Sequence, residues 1–199
     1  AHALVVVPTL TNLESLSIGY IPLTNDDLPV LLNGLTKLTR FEHWDNSSGD
    51  GQISELADLA AVSSLTELKL GGMSISDLAP LADMTQLREL DLRDNFVENL
   101  SPLAGLSGLE VLNLKSNQIS DISALENLTS LEDLQLGNNR IGDISVLDKL
   151  TGLSNVTLES NLLDETALPI IGALQNLSLI QSRAHETKAN LVCRLLLEK

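Results

Sequence analysis

The sequence predicts an α/β solenoid: an arc of stacked coils with a parallel β-sheet on its concave face, mostly 3-10 or irregular convex segments, and short helices near the ends. Three observations predict it. Leucine-led segments open at Leu65, Leu87, Leu109, Leu131 and Leu153, each 22 residues after the last. Within each segment apolar residues first alternate and then step by threes. Aromatics are only 2% of a chain that is 43% apolar, so Leu, Ile, Val and Ala do the packing, as suits a thin core of many similar layers.

The chain opens in the tail of a unit. Leu4, Val7, Leu10 and Leu13 repeat the steps of Leu100, Leu103, Leu106 and Leu109, so residues 1–12 read as a partial or capping repeat. Repeats then start near residues 13, 38, 65, 87, 109, 131 and 153, residues 177–199 read as a last partial repeat with a C-terminal cap, and 1–199 is expected to form a single domain. The outer units are longer, with 25 residues from Leu13, 27 from Leu38 and 24 from Leu153 to Leu177. Thr24-Asn25-Asp26-Asp27 ahead of Leu28, Val30, Leu31 and Leu32 predicts a capped short helix with acids at its positive end. A second short helix is expected between Thr166 and Leu174.

The unit from Leu109 reads LEVLNLKSNQISDISALENLTS, and the next reads LEDLQLGNNRIGDISVLDKLTG. Alternation about Leu112 and Leu114 marks a strand with those leucines inward and Val111, Asn113 and Lys115 outward. Asn95, Asn117, Asn139 and Asn161 follow where the chain leaves each strand, and a buried amide there can satisfy backbone groups of adjoining coils. Ile119, Ile122, Leu125 and Leu128 then step by threes, close to 3-10 geometry, and close the coil on its convex side.

This pattern resembles the 22-residue class of leucine-rich repeats known from bacterial internalins and from a eukaryotic phosphatase-regulatory family, over nearly the whole chain. The resemblance implies a binding role, since internalin-like proteins grip a partner through exposed strand positions of the concave face, often with several aromatics. Here that face carries only Trp44, with Tyr20 at its margin. A secreted or cell-surface bacterial location is favoured over a cytoplasmic one.

The outward positions supply the candidate partner-binding residues: Arg40, Glu42, Trp44, Glu67, Lys69, Glu89, Asp91, Arg93, Asn113, Lys115, Asp133 and Gln135. Neighbouring strands place Glu67 beside Glu89 and Arg93 beside Lys115, and two readings stand side by side: each like-charged pair awaits an opposite charge, or the face is a solvated one with ordinary charge scatter. Trp44, with Arg40 and Arg93 in its band, suits an interface anchor. The competing reading folds it under the insertion Asp45–Gly51. That insertion offers Asp45, Asn46 and Asp50 as oxygen ligands, but its spacing is not that of an EF-hand, and a plain polar turn is the favoured reading.

Twelve basic against 27 acidic residues, a formal net charge of −15, argue against nucleic acid, which needs a basic surface, and against an anionic membrane. No apolar run approaches the roughly 18 residues that span a bilayer. Ala1–Pro8 lacks a basic leader, so a secretory signal is expected to have been removed or never present. His2, His43 and His185 show no metal-ligand spacing, no nucleophile or phosphate-loop motif occurs, and the lone Cys193 reads as a cap residue in a closing helix. No enzyme activity, metal or cofactor is expected. The leading expectation is a monomeric module that binds another protein. The alternative is a structural or self-assembling scaffold, or a fragment of a larger surface protein, joined through the apolar ends Leu4–Val7 and Leu195–Leu197.

Overall fold

The computed structural model describes residues 10–19, 21–44, 53–174 and 178–179. Eight strands, β1 (Ser15–Gly19), β2 (Arg40–Trp44), β3 (Glu67–Gly71), β4 (Glu89–Asp91), β5 (Val111–Asn113), β6 (Asp133–Gln135), β7 (Asn155–Thr157) and β8 (Ser178–Leu179), form one sheet in chain order. Every pairing is parallel, and the register never slips: Ser15, Arg40, Glu67, Glu89, Val111, Asp133, Asn155 and Ser178 stand in one row. The chain is thus the expected solenoid.

Burial explains why the register holds. Strand side chains alternate, so a slip of one residue would turn a leucine column out to water. Leu68, Leu90, Leu112, Leu134 and Val156 form such a column, each fully buried. Leu70, Leu92, Leu114 and Leu136 form the next. Each fully buried leucine contributes about 2 kcal/mol of transfer free energy. In β2 the two inward positions hold Phe41 and His43 instead, both fully buried. His43 keeps its place by donating from Nδ1 to the Ile18 carbonyl at 3.0 Å, a bond a leucine could not make.

Convex segments follow the three-residue steps. Short 3-10 turns run over Ala57–Val62, Ala79–Leu81, Ser101–Gly105, Ser123–Leu125 and Ser145–Lys149, and each sends its leucine into the core. The longer outer units carry the α-helices, α1 (Asp27–Leu32) and α2 (Leu168–Ala173). The capping of α1 differs from expectation. Its first residue, Asp27, reaches back to accept from the Thr24 backbone N–H at 2.9 Å and hydroxyl at 2.8 Å, and no side chain caps forward. At the other end Asp164 accepts from the Thr166 backbone N–H at 2.8 Å and opens the 3-10 turn Glu165–Ala167 that leads into α2.

Between strand and convex segment each coil makes the same turn. Gly72, Asp94, Ser116, Asn138 and Ser160 occupy it in a left-handed conformation, four of them non-glycine with φ of 55–57°. The asparagine that follows stitches coils together. Nδ2 of Asn95, Asn117, Asn139 and Asn161 donates to the carbonyl of Leu70, Leu92, Leu114 and Leu136 of the preceding coil at 2.8–2.9 Å. Oδ1 accepts from the backbone N–H of Ile75, Val97, Ile119 and Ile141 at 2.9–3.0 Å. Backbone groups that no regular ladder would reach are thereby satisfied.

Candidate binding face

Alternation puts one set of strand side chains on the concave surface in three parallel columns. Charge fills the N-terminal half. Lys69 lies at the centre of β2–β4, with Nζ 2.7 Å from Glu67, 2.8 Å from Glu89 and 3.6 Å from Glu42. Arg40 pairs with Glu67 from the other side. Burial alone would raise the Glu67 carboxyl, but hydrogen bonds from Lys69 and Arg40 outweigh it and hold it below the ordinary carboxylate range. Burial would likewise lower the Lys69 ammonium, and its bonds to Glu67 and Glu89 reverse that.

This network corrects one expectation. Glu67 and Glu89 do stand side by side in register, yet they do not wait for an outside cation, because Lys69 already lies between them. The basic pair is also committed. Lys115 Nζ meets Glu159 Oε1 at 3.1 Å, and Arg93 Nε lies 3.7 Å from Asp91. Asp91 is covered, and burial pushes its carboxyl up against the lowering effect of the Arg93 backbone N–H.

The third column shows how such reach is possible. It runs Gly19, Trp44, Gly71, Arg93, Lys115, Gly137, Glu159, and every glycine lies under its C-terminal neighbour's side chain. A Cβ on Gly19 would come within 2.8 Å of the Trp44 indole nitrogen. One on Gly71 would meet Arg93 Cγ at 3.1 Å, and one on Gly137 would meet Glu159 Oε1 at 2.2 Å. The glycines act as saddles, laying Trp44, Arg93 and Glu159 across the sheet toward its N-terminal end. Trp44 is accordingly half-buried and does face the concave side.

The C-terminal half is built differently. Asp133 accepts a 3.4 Å hydrogen bond from Gln135, and Asn113 is only 7% exposed, its Oδ1 turned to the Lys115 backbone N–H. On β7 and just beyond, Asn155 Oδ1, Thr157 Oγ1 and Glu159 Oε2 are buried and lack a hydrogen-bond partner among the described residues. The 22-residue period puts these three at the outward positions that Val111, Asn113 and Lys115 hold two coils earlier, outside the candidate set. Nothing in their types distinguishes them from other polar strand residues, and the glycine at 137 is the one signal that a neighbour lies flat there.

The structure brings together Arg40, Glu42, Glu67, Lys69 and Glu89, and separately Asp91 with Arg93 and Asn113. Tyr20, the Asp45–Gly51 insertion, His2, His185, Cys193 and the apolar ends lie outside the described residues. Among the described residues no group of three or more His, Cys, Asp or Glu is placed to hold a metal ion, and no helix is long and apolar enough to cross a membrane.

The family model for leucine-rich repeats in pairs matches twice, over residues 63–105 and 107–149. No curated protein matches the sequence. Among solved structures, an internalin (inlF) from Listeria monocytogenes is similar with a TM-score of 0.77 and 32% identity, over 90% of this chain and 50% of that one. Internalin C2 of the same organism is similar with a TM-score of 0.59 and 30% identity, over 83% of this chain and 77% of that one. A leucine-rich-repeat protein of Leptospira interrogans shares the fold with a TM-score of 0.68 at 19% identity, over 88% of this chain and 50% of that one. The chain therefore spans about half the length of the inlF and Leptospira proteins.

Proposed function

We propose that this chain, which belongs to the internalin-like leucine-rich-repeat proteins, is a binding module that grips another protein on its concave face. Solenoids of this kind commonly serve as protein-interaction scaffolds and not as enzymes. The observation that carries the reading is the preorganised surface of β2–β5. Ion pairs hold Arg40, Lys69 and their acidic partners, and glycine saddles hold Trp44 and Arg93. Side chains ordered before the encounter lose less entropy on binding, so more of the contact energy appears as affinity. Trp and Arg are the residue types that most often anchor an interface, and Arg93 keeps half of its side chain exposed. A bacterial surface or secreted setting fits the same reading.

The test is affinity capture from the source organism's extracts and medium, and from candidate partner preparations, with the native chain beside a Trp44→Ala, Arg93→Glu, Lys115→Glu variant. A protein retained by the native chain and lost by a still-folded variant supports the concave site. Equal retention by both would refute it and move binding to the convex side or the ends.

A further inference from the structure

We propose that the turns leaving β4–β7 carry a docking strip for an extended segment of a partner protein in which one acidic residue stands between two apolar ones. The strip is Phe96, Gln118, Arg140 and Leu162, the residues directly after the stitching asparagines of four successive coils. Each donates its backbone N–H to the coil before it, to Ile75, Val97, Ile119 and Ile141, at 2.8–2.9 Å, so the four stack as one column. The column lies beside the three concave ones and needs none of them to bind. Single exposed apolar residues are ordinary on a protein surface. Here two of them, Phe96 at 53% and Leu162 at 68% exposed, occupy the same repeat position at the two ends of one column.

What lies between the two says what the strip takes. Arg140 is exposed, and among the described residues its guanidinium donates only to the neutral Gln118 Oε1, at 3.2 Å. The other described cations from β2 onward each have a carboxylate partner. Arg140 has none, although the chain carries a net charge of −15. With its amide oxygen engaged, Gln118 adds only N–H donors, so the middle of the strip is a group of donors without an anion. Asp94 and Glu98 flank Phe96, two coils from Arg140, and confine that demand to the Arg140 end. Coils about 4.8 Å apart set Leu162 about 14 Å from Phe96, with Gln118 and Arg140 about 5 and 10 Å along. On an extended segment, side chains of one face recur about every 7 Å. Residues i and i+4 then reach Phe96 and Leu162, and residue i+2 falls between Gln118 and Arg140. Apolar side chains at the ends and a carboxylate in the middle match this order, whereas a lysine in the middle would meet donors with a donor.

The strip is read directly by NMR titration of the ¹⁵N-labelled chain with the peptide acetyl-Leu-Ser-Glu-Ser-Leu-amide. Beside it run one peptide with Gln in place of Glu and one with Ser in place of both Leu. Saturable shifts centred on Phe96, Gln118, Arg140 and Leu162 are expected for the first peptide. The Gln peptide should bind about 3- to 5-fold more weakly, the worth of one exposed ion pair, and the difference should shrink as salt is raised. The Ser-ended peptide should not saturate. Arg140→Gln should bind the Glu and Gln peptides alike, and Phe96→Ser should weaken both, each with an unchanged melting temperature because both side chains are exposed. Scattered or unsaturable shifts with the first peptide, or equal binding of the Ser-ended one, would overturn the strip. Equal binding of the Glu and Gln peptides by the native chain, or a preference for Glu that survives Arg140→Gln, would overturn the acidic centre.

Discussion

Lys115 and Glu159 form an ion pair at 3.1 Å although a whole strand, β6, separates theirs. Neither side chain would span two strands over an ordinary residue. They meet because Gly137, between them, offers no Cβ: one built there would lie 2.2 Å from Glu159 Oε1. Gly137 has no positive φ, so alanine suits its backbone. Gly137→Ala is therefore expected to fold with stability changed by less than about 1 kcal/mol, yet to push Glu159 aside. A double-mutant cycle on Lys115 and Glu159 should give a coupling of about 0.5–1 kcal/mol in the parent and near zero in the alanine background. Undiminished coupling there would show that the glycine is not what permits the pair.

Replacing Asn117 by alanine should be among the costlier single changes. Its amide serves the Leu92 and Leu114 carbonyls and the Val97 N–H, all inside the coil junction. Removing it strands three backbone groups, for a loss of about 3 kcal/mol in urea unfolding. A loss below about 1 kcal/mol would mean that water replaces the amide.

Lys69→Met tests the charge network. At pH 7 the variant leaves Glu42, Glu67 and Glu89 facing one another with only Arg40 to offset them, and should lose about 1–2 kcal/mol. The pH dependence has a definite sign. Glu67 titrates below its unfolded value of about 4.3, so its contribution is present above that value and fades as pH falls through the folded one. Lys69 titrates above its unfolded value of about 10.4, so its contribution persists until the pH is strongly alkaline. The gap between native and variant stability should be flat from about pH 6 to 9 and close below about pH 4. A gap that widens on acidification would contradict the network.

Ser160 holds a φ of 55° at the turn leaving β7. Glycine there removes the left-handed penalty and should stabilise by about 0.5–1 kcal/mol, while valine should destabilise by about 1–2 kcal/mol. Thermal melts of the two variants should therefore move in opposite directions.

Much of this architecture was legible in the chain. Alternation at Leu112 and Leu114, the step by threes from Ile119 and the recurring asparagines report burial and backbone satisfaction. Those demands are local and repeat in every coil, so a pattern 22 residues long suffices to state them. The outward register of Trp44, Arg93 and Lys115 follows from the same period. The sense of the α1 cap was not legible, because Thr24 and Asp27 can serve each other in either direction and packing chose one.

The charge pairing was the larger surprise. Read as columns, Glu67 beside Glu89 and Arg93 beside Lys115 are like-charged neighbours, but side chains on a sheet also reach diagonally and along the strand. Lys69 meets acids on three strands, and Lys115 crosses a glycine to a residue two coils away. The sequence by itself determined the solenoid and which residues face its concave side, since periodic burial is written in every repeat. Only the tertiary structure decided which of those residues are already paired and which buried oxygens on β7 lack a partner among the described residues, because that depends on rotamers reaching over the gaps that individual glycines leave.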